Sequence, residues 1–243
     1  MEAATIEKGD RLLIERGDLD FPIYKDERSG NRELILLALG FLLPILQSAF
    51  PSAEESSVVV LTIRSLLFFA LPVVPLMIAL HGEVGRILQK PKLSDFGLII
   101  LGALVMYVVS IGMVMLLVAT GIVEAGSIHA NPVVNQTHDF VFWLRIIFQL
   151  FGEEAIKVNM LLFILTLVYR YTGKRKLGVT LGVVIGSLIF GLMHMGAYHN
   201  LAQVLFVQGL SAMVNTSLYV RTKNIGVSYG AHLLFDFIPI ALG

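Results

Sequence analysis

Seven stretches of about 20 predominantly apolar residues recur along this chain, and a segment of that length and polarity crosses a bilayer as an α-helix. They run over roughly 33–50, 57–80, 97–120, 139–169, 177–197, 201–220 and 225–242. The fourth is long enough to tilt strongly or to extend beyond the bilayer. Charged residues make up 15% of the chain and mean hydropathy is +0.80, whereas a soluble domain carries about 25% charged residues. The expected fold is therefore all-α, a polytopic transmembrane helix bundle of about seven spans.

Charge placement gives the bundle a direction. Outside the spans, basic residues occupy the N-terminal segment 1–32 (Lys8, Arg11, Arg16, Lys25, Arg28, Arg32), the 81–96 connection (Arg86, Lys90, Lys92), the 170–176 connection (Arg170, Lys174, Arg175, Lys176) and the 221–224 turn (Arg221, Lys223). The alternate connections carry none. All fifteen then lie on one side, which the positive-inside rule makes cytoplasmic, with the N-terminus. Glu2, Glu7, Lys8, Asp10, Arg11, Glu15 and Arg16 leave no apolar core for a cleavable signal. Residues 1–32 read as a solvated cytoplasmic tail, with a short interfacial helix through Leu12, Leu13, Ile14 and Phe21 as the alternative. Residues 33–243 form the transmembrane domain of an integral, multi-pass membrane protein, in the cell membrane if the source is prokaryotic. Asn135-Gln136-Thr137 is a glycosylation acceptor pattern, meaningful only in a eukaryotic secretory pathway. A net charge of zero gives nucleic acid no electrostatic foothold, and the absence of cysteine removes disulfides, thiol nucleophiles and thiolate metal sites.

The basic residues left within spans are Arg64, Arg145 and Lys157; the acids are Glu153, Glu154 and Asp236, joined by His194 and His232. A charge at a helix centre costs roughly 2.5–3.5 kcal/mol on insertion scales, so such groups face the protein interior or a watery cavity. At about 100° per residue, Lys157 projects between Glu153 and Glu154 one turn along. It neutralises one carboxylate and leaves the other for general-base work; the plainer reading is an ion-pair cluster that holds helices together. Ser187, Phe190, Gly191, His194 and Tyr198 share one helix face, where a histidine is either a packing residue or a ligand. His232 and Asp236, at i and i+4, point the same way and suit one metal, one substrate oxygen or a structural hydrogen bond. Arg64 and Arg145 have only a structural reading. Counted at 1.5 Å per residue from the basic ends, Glu154 and His194 lie at roughly 24–26 Å and His232 near about 12 Å, which tilt or a broken helix must reconcile.

Glu153-Glu154-x-x-Lys157, Phe190-x-x-x-His194 and His232-x-x-x-Asp236, in that order on successive helices, resemble the signatures of the CAAX-protease and bacteriocin-processing (CPBP, or Abi) intramembrane proteases and their PrsW relatives. Tyr219-Val-Arg-Thr222-Lys-Asn224-Ile before the last motif is similar as well, and the likeness spans a core of about 139–242. Three positions bear on the branch. Val158 stands where CAAX proteases usually carry arginine, Lys157 follows the PrsW pattern, and Asp236 replaces a common asparagine. The resemblance implies an intramembrane endopeptidase acting on a membrane-embedded, membrane-associated or lipidated (prenylated) protein or peptide. By position, Glu153 activates water with help from His194, His232 and Asp236 hold the scissile carbonyl or a metal, and Glu154 and Lys157 set the charge of Glu153. Zn²⁺ or another divalent ion on His194, His232, Asp236 and Glu153 is the expected cofactor, favoured by Asp236, which suits a cation better than an oxyanion. A metal-free base and oxyanion donor is the alternative. From other classes, the alternatives are a non-catalytic scaffold or bacteriocin-immunity protein, and a proton- or cation-coupled transporter.

Overall fold

The computed structural model describes all residues except 1–5, 7, 18, 28, 51–56, 137 and 243. Thr137 of the glycosylation pattern and Arg28 lie outside the described residues. Long helices occupy every stretch that the apolar runs predict: α1 (Asn31–Ser48), α2 (Val58–Ala79), α3 (Leu93–Ala119), α4 (Phe140–Thr172), α5 (Arg175–Met193), and further on a helix from 201 to 222 and a last one from 225. Short α6 (Met195–Tyr198) follows α5, and the 201–222 helix comprises α7 (Leu201–Gln203), a π-helical turn (Val204–Gln208) and α8 (Gly209–Thr222), before α9 (Ile225–Leu242). Five of these helices are long and apolar enough to cross a membrane: α1, α2, α3, α5 and 201–222. The 33 residues of α4 extend for about 50 Å, well beyond the roughly 30 Å hydrocarbon core, but this helix carries the charges of the site. The protein is a polytopic helical membrane bundle.

The bundle is built around α4, which packs on α1, α2, α5 and α9, while α3 closes the far side against α8 and α9. From Gly152 to Leu162 every α4 residue is buried, whichever way it points. Such a helix has no lipid-facing stripe. That is why two adjacent carboxylates and a lysine a turn later are all removed from lipid. Two close approaches set this geometry. A Cβ on Gly152 would stand 2.7 Å from the Phe68 carbonyl oxygen of α2, and one on Gly191 would stand 2.3 Å from the Val204 carbonyl oxygen. Only glycine lets α5 lie directly on the π-helical turn. α5 ends at Met193, and His194 sits at the break before α6 rather than within one continuous helix face.

The solvated-tail reading of segment 1–32 is corrected by the packing of its described part. Phe21, Ile23 and Tyr24 are buried in the main apolar core, against Tyr219, Val220, Leu161 and Leu165 among others. Glu15 receives a forked pair of hydrogen bonds from Arg175 at 2.8 and 2.6 Å and one from Lys223 at 2.6 Å. Arg175 also donates to Asp20 at 2.9 Å, and Asp20 accepts from the Tyr24 hydroxyl at 2.5 Å. Arg86 grips Asp26, and Arg16 pairs with Asp95. A buried cation needs a nearby anion, and the N-terminal segment supplies acids to basic connections that the positive-inside pattern alone leaves unpaired. Leu13 and Ile14 remain exposed. Arg64 has the structural role expected of it, donating to the carbonyls of Gln47 in the last turn of α1 and of Phe50 just beyond it.

Candidate active site

The sequence-predicted charges meet where α4, α5 and α9 converge. Glu154, 1% exposed, is the hub. Its Oε1 accepts from Lys157 Nζ, from Asn215 Nδ2 at 2.6 Å, and faces His232 Nδ1 at 2.8 Å. A carboxylate only accepts, so this contact puts a proton on His232 Nδ1 and turns Nε2 the other way. His232 Nε2 then lies 3.7 Å from Glu153 Oε2 and 3.5 Å from Asp236 Oδ2. Glu153 has one further partner, Gln149 Nε2 at 3.3 Å from Oε1. The mismatch in depth between Glu154 and His232, counted from their helix ends, is thus taken up within the fold, because α9 meets the middle of α4 only two turns after it starts.

His194 stands apart from this network. Its Nδ1 is 3.0 Å from the Phe190 carbonyl oxygen, so Nδ1 is the donor and Nε2 keeps a lone pair. No hydrogen bond or ion pair joins His194 to Glu153, His232 or Asp236 among the described residues. It shares with them the wall of one cavity of about 410 Å³, which Glu153, Lys157, His194, His232 and Asp236 all line. Phe190 sits between the two halves, its ring 4.9 Å from His194 and 4.7 Å from the Lys157 ammonium. Asparagine and glutamine complete the site unannounced: Asn215 and Gln149 hold the two glutamates. Their signal was present, since an amide within an apolar span also needs a hydrogen-bond partner on another group, but ranking residues by ionisability passes over them.

The donors do not form a metal shell as placed. Among the described residues, no group of three or more His, Asp and Glu side chains could hold a metal ion. Among the described residues His194, expected as a ligand, forms no hydrogen bond or ion pair with the other three of the set His194, His232, Asp236 and Glu153.

The fold and site together define an integral membrane protein with an ionisable cavity inside its helical bundle. Residues 136–238, which hold every one of these side chains, match the family model described as type II CAAX prenyl endopeptidase Rce1-like. The match agrees with the resemblance of the three motifs to the CAAX-protease and bacteriocin-processing intramembrane proteases. No curated protein and no solved structure gives a significant match to the chain.

Proposed function

We propose that this protein is an intramembrane endopeptidase that hydrolyses a peptide bond of a prenylated or otherwise membrane-associated substrate, with Glu153 as general base. The observation that carries this reading is the inequality of two adjacent carboxylates. Glu154 spends Oε1 on three donors from three helices, whereas Glu153 faces the cavity with a single long bond from Gln149. A fully engaged carboxylate positions its neighbours; a lightly held one is free to take a proton.

In this reading Glu153 accepts a proton from water as the water oxygen bonds to the scissile carbonyl carbon, with His194 Nε2 accepting the second water hydrogen as a hydrogen bond. The carbonyl oxygen gains charge and is met by His232, whose Nε2 in its protonated form donates while Nδ1 stays anchored on Glu154. Asp236 steadies His232 from the next turn. Glu153 then returns its proton to the departing nitrogen, the C–N bond breaks, and a carboxylic acid and an amine leave, the acid passing its remaining proton to the amine as they reach water. The family match supports the reaction class; the assignment of roles rests on the geometry above.

The test is cleavage of farnesylated peptides and transmembrane peptides by the full chain in lipid nanodiscs. Glu153→Gln and His232→Ala are each expected to lower the rate at least about a hundredfold, with the unfolding temperature of Glu153→Gln unchanged. Full biological activity in both variants would move the reading to a scaffold, and proton-gradient-driven uptake in proteoliposomes to a transporter. Treatment with a strong chelator is expected to leave the rate unchanged; a loss restored by Zn²⁺ would put a metal-assisted reaction in its place.

A further inference from the structure

The connections between helices gather at two ends of the bundle. At one end the N-terminal segment is tied to the turns after α2, α4 and α8. Arg16 N donates to the Arg221 carbonyl at 3.1 Å, Gln89 Nε2 to the Lys223 carbonyl at 3.3 Å, and Arg175 to Glu15 at 2.6 Å. At the other end the 121–138 connection meets the turn before α7. Asn200 Nδ2 donates to the Ser127 carbonyl at 3.2 Å, and the Gln203 side-chain amide pairs with the main chain of His129 at 3.1 and 2.8 Å. The first end carries the basic connections, so the positive-inside rule makes it cytoplasmic and the second end non-cytoplasmic.

The catalytic cavity belongs to the second end. α3 lends it nothing before Met106, α9 nothing before His232, α4 nothing past Lys157 and the 201–222 helix nothing past Ala212. Each of these limits falls near the middle of its helix. Among the described residues, none from the basic connections lines the cavity, whereas His129 and Ala197 do and are exposed, so it reaches the surface beside the bond from Asn200 to Ser127. Towards the cytoplasm the path is filled. Leu161, Leu162 and Leu165 of α4 are wholly buried, packed in the main core with Val179 and Tyr219. An interior packed this closely leaves little room for water, while hydrolysis needs water at Glu153 and ionisable groups within spans need a watery cavity.

We infer that the cavity takes water and substrate from the non-cytoplasmic side. The substrate is then a membrane-anchored peptide whose scissile bond lies in the outer half of the bilayer, not a prenylated tail held at the cytoplasmic face. The inference rests on the proposed peptidase reading for the cleavage itself, and on charge and packing for the side.

The chain has no cysteine, so a single introduced thiol reports its side without background. Ser110→Cys, half-buried on the cavity wall, is compared with Gly126→Cys and Lys90→Cys, exposed at the outer and basic ends. Each full-length variant is treated with a charged, membrane-impermeant thiosulfonate in sealed membrane vesicles of either orientation. Ser110→Cys and Gly126→Cys are expected to react in right-side-out vesicles and to lose that reaction in inside-out ones, where Lys90→Cys reacts instead. Reaction of Ser110→Cys from the Lys90 side, or from neither side, would overturn the inference. A co-expressed transmembrane peptide of fixed orientation is expected to be cut within its outer half by the unaltered chain, read from the fragment masses. Cuts confined to its inner half, or cleavage only of a farnesylated peptide offered at the cytoplasmic face, would overturn the inference and leave the hydrolytic reading standing. Outer-side labelling with no peptide cleaved would uphold the side and overturn the hydrolytic reading instead.

Discussion

Replacing Glu15 by glutamine tests whether the N-terminal segment is a structural part of the bundle. Its carboxylate is fully buried between Arg175 and Lys223, and it also accepts from the main-chain N–H of Leu12 at 2.9 Å. Burial pushes its pKa up, but the Arg175 and Lys223 cations outweigh that and hold it at about 2, against an ordinary 4.5. The difference corresponds to about 3 kcal/mol of stability. Because the folded value is the lower one, this contribution is complete above pH 4.5 and is lost as pH falls towards about 2. Removing one partner of a buried ion pair costs about 3–5 kcal/mol by an independent route, so the two figures agree. Lys223 offsets some of the gain, since burial keeps its pKa below the ordinary value even beside Glu15.

The readout is native-state proteolysis of residues 9–29 in detergent micelles, which follows the population of the undocked segment when opening is fast. Glu15→Gln is expected to raise the cleavage rate about a hundredfold at pH 7. Adding Lys223→Met should recover part of that, because it removes a stranded cation while Arg175 keeps Asp20 at 2.9 Å. A change under tenfold, or a loosening of the unaltered chain between pH 7 and pH 5 that Glu15→Gln abolishes, would refute the account.

Two other substitutions follow from the packing. Gly191→Leu is expected to lower the unfolding temperature and to abolish cleavage, because even a Cβ there would stand 2.3 Å from the Val204 carbonyl oxygen and α5 would have to leave the π-helical turn; overpacking of this kind costs about 1–3 kcal/mol or more. Asn215→Ala removes a 2.6 Å bond to the buried Glu154 carboxylate. A loss of about 1.5–3 kcal/mol in denaturant or thermal unfolding is expected, and a loss under about 0.5 would mean that Lys157 and His232 satisfy Glu154 alone.

The architecture was readable without coordinates because a bilayer imposes a single solution on each long apolar run, a helix with its backbone bonds satisfied internally. The helices duly stand where the apolar runs lie. Charge in such a chain is equally informative, so Glu153, Glu154, Lys157, His194, His232 and Asp236 stood out by cost alone, and all but Glu154 line the cavity. What periodicity cannot carry is relative position between helices. Spacing alone shows Glu153 and Glu154 as interchangeable neighbours, and only the family resemblance gave them different roles. Tertiary packing separates them, because Asn215 and His232 hydrogen-bond Glu154, whereas His232 comes only within 3.7 Å of Glu153.

The same limit explains the N-terminal segment. Its charges look like those of a solvated tail until Arg175 and Lys223, 160 and 208 residues away in the chain, are brought to Glu15. The placement of the helices and the list of candidate residues were therefore properties of the sequence, since each depends on one helix and the surrounding lipid. Which carboxylate is lightly held and which histidine nitrogen turns away from it were decided by contacts between helices.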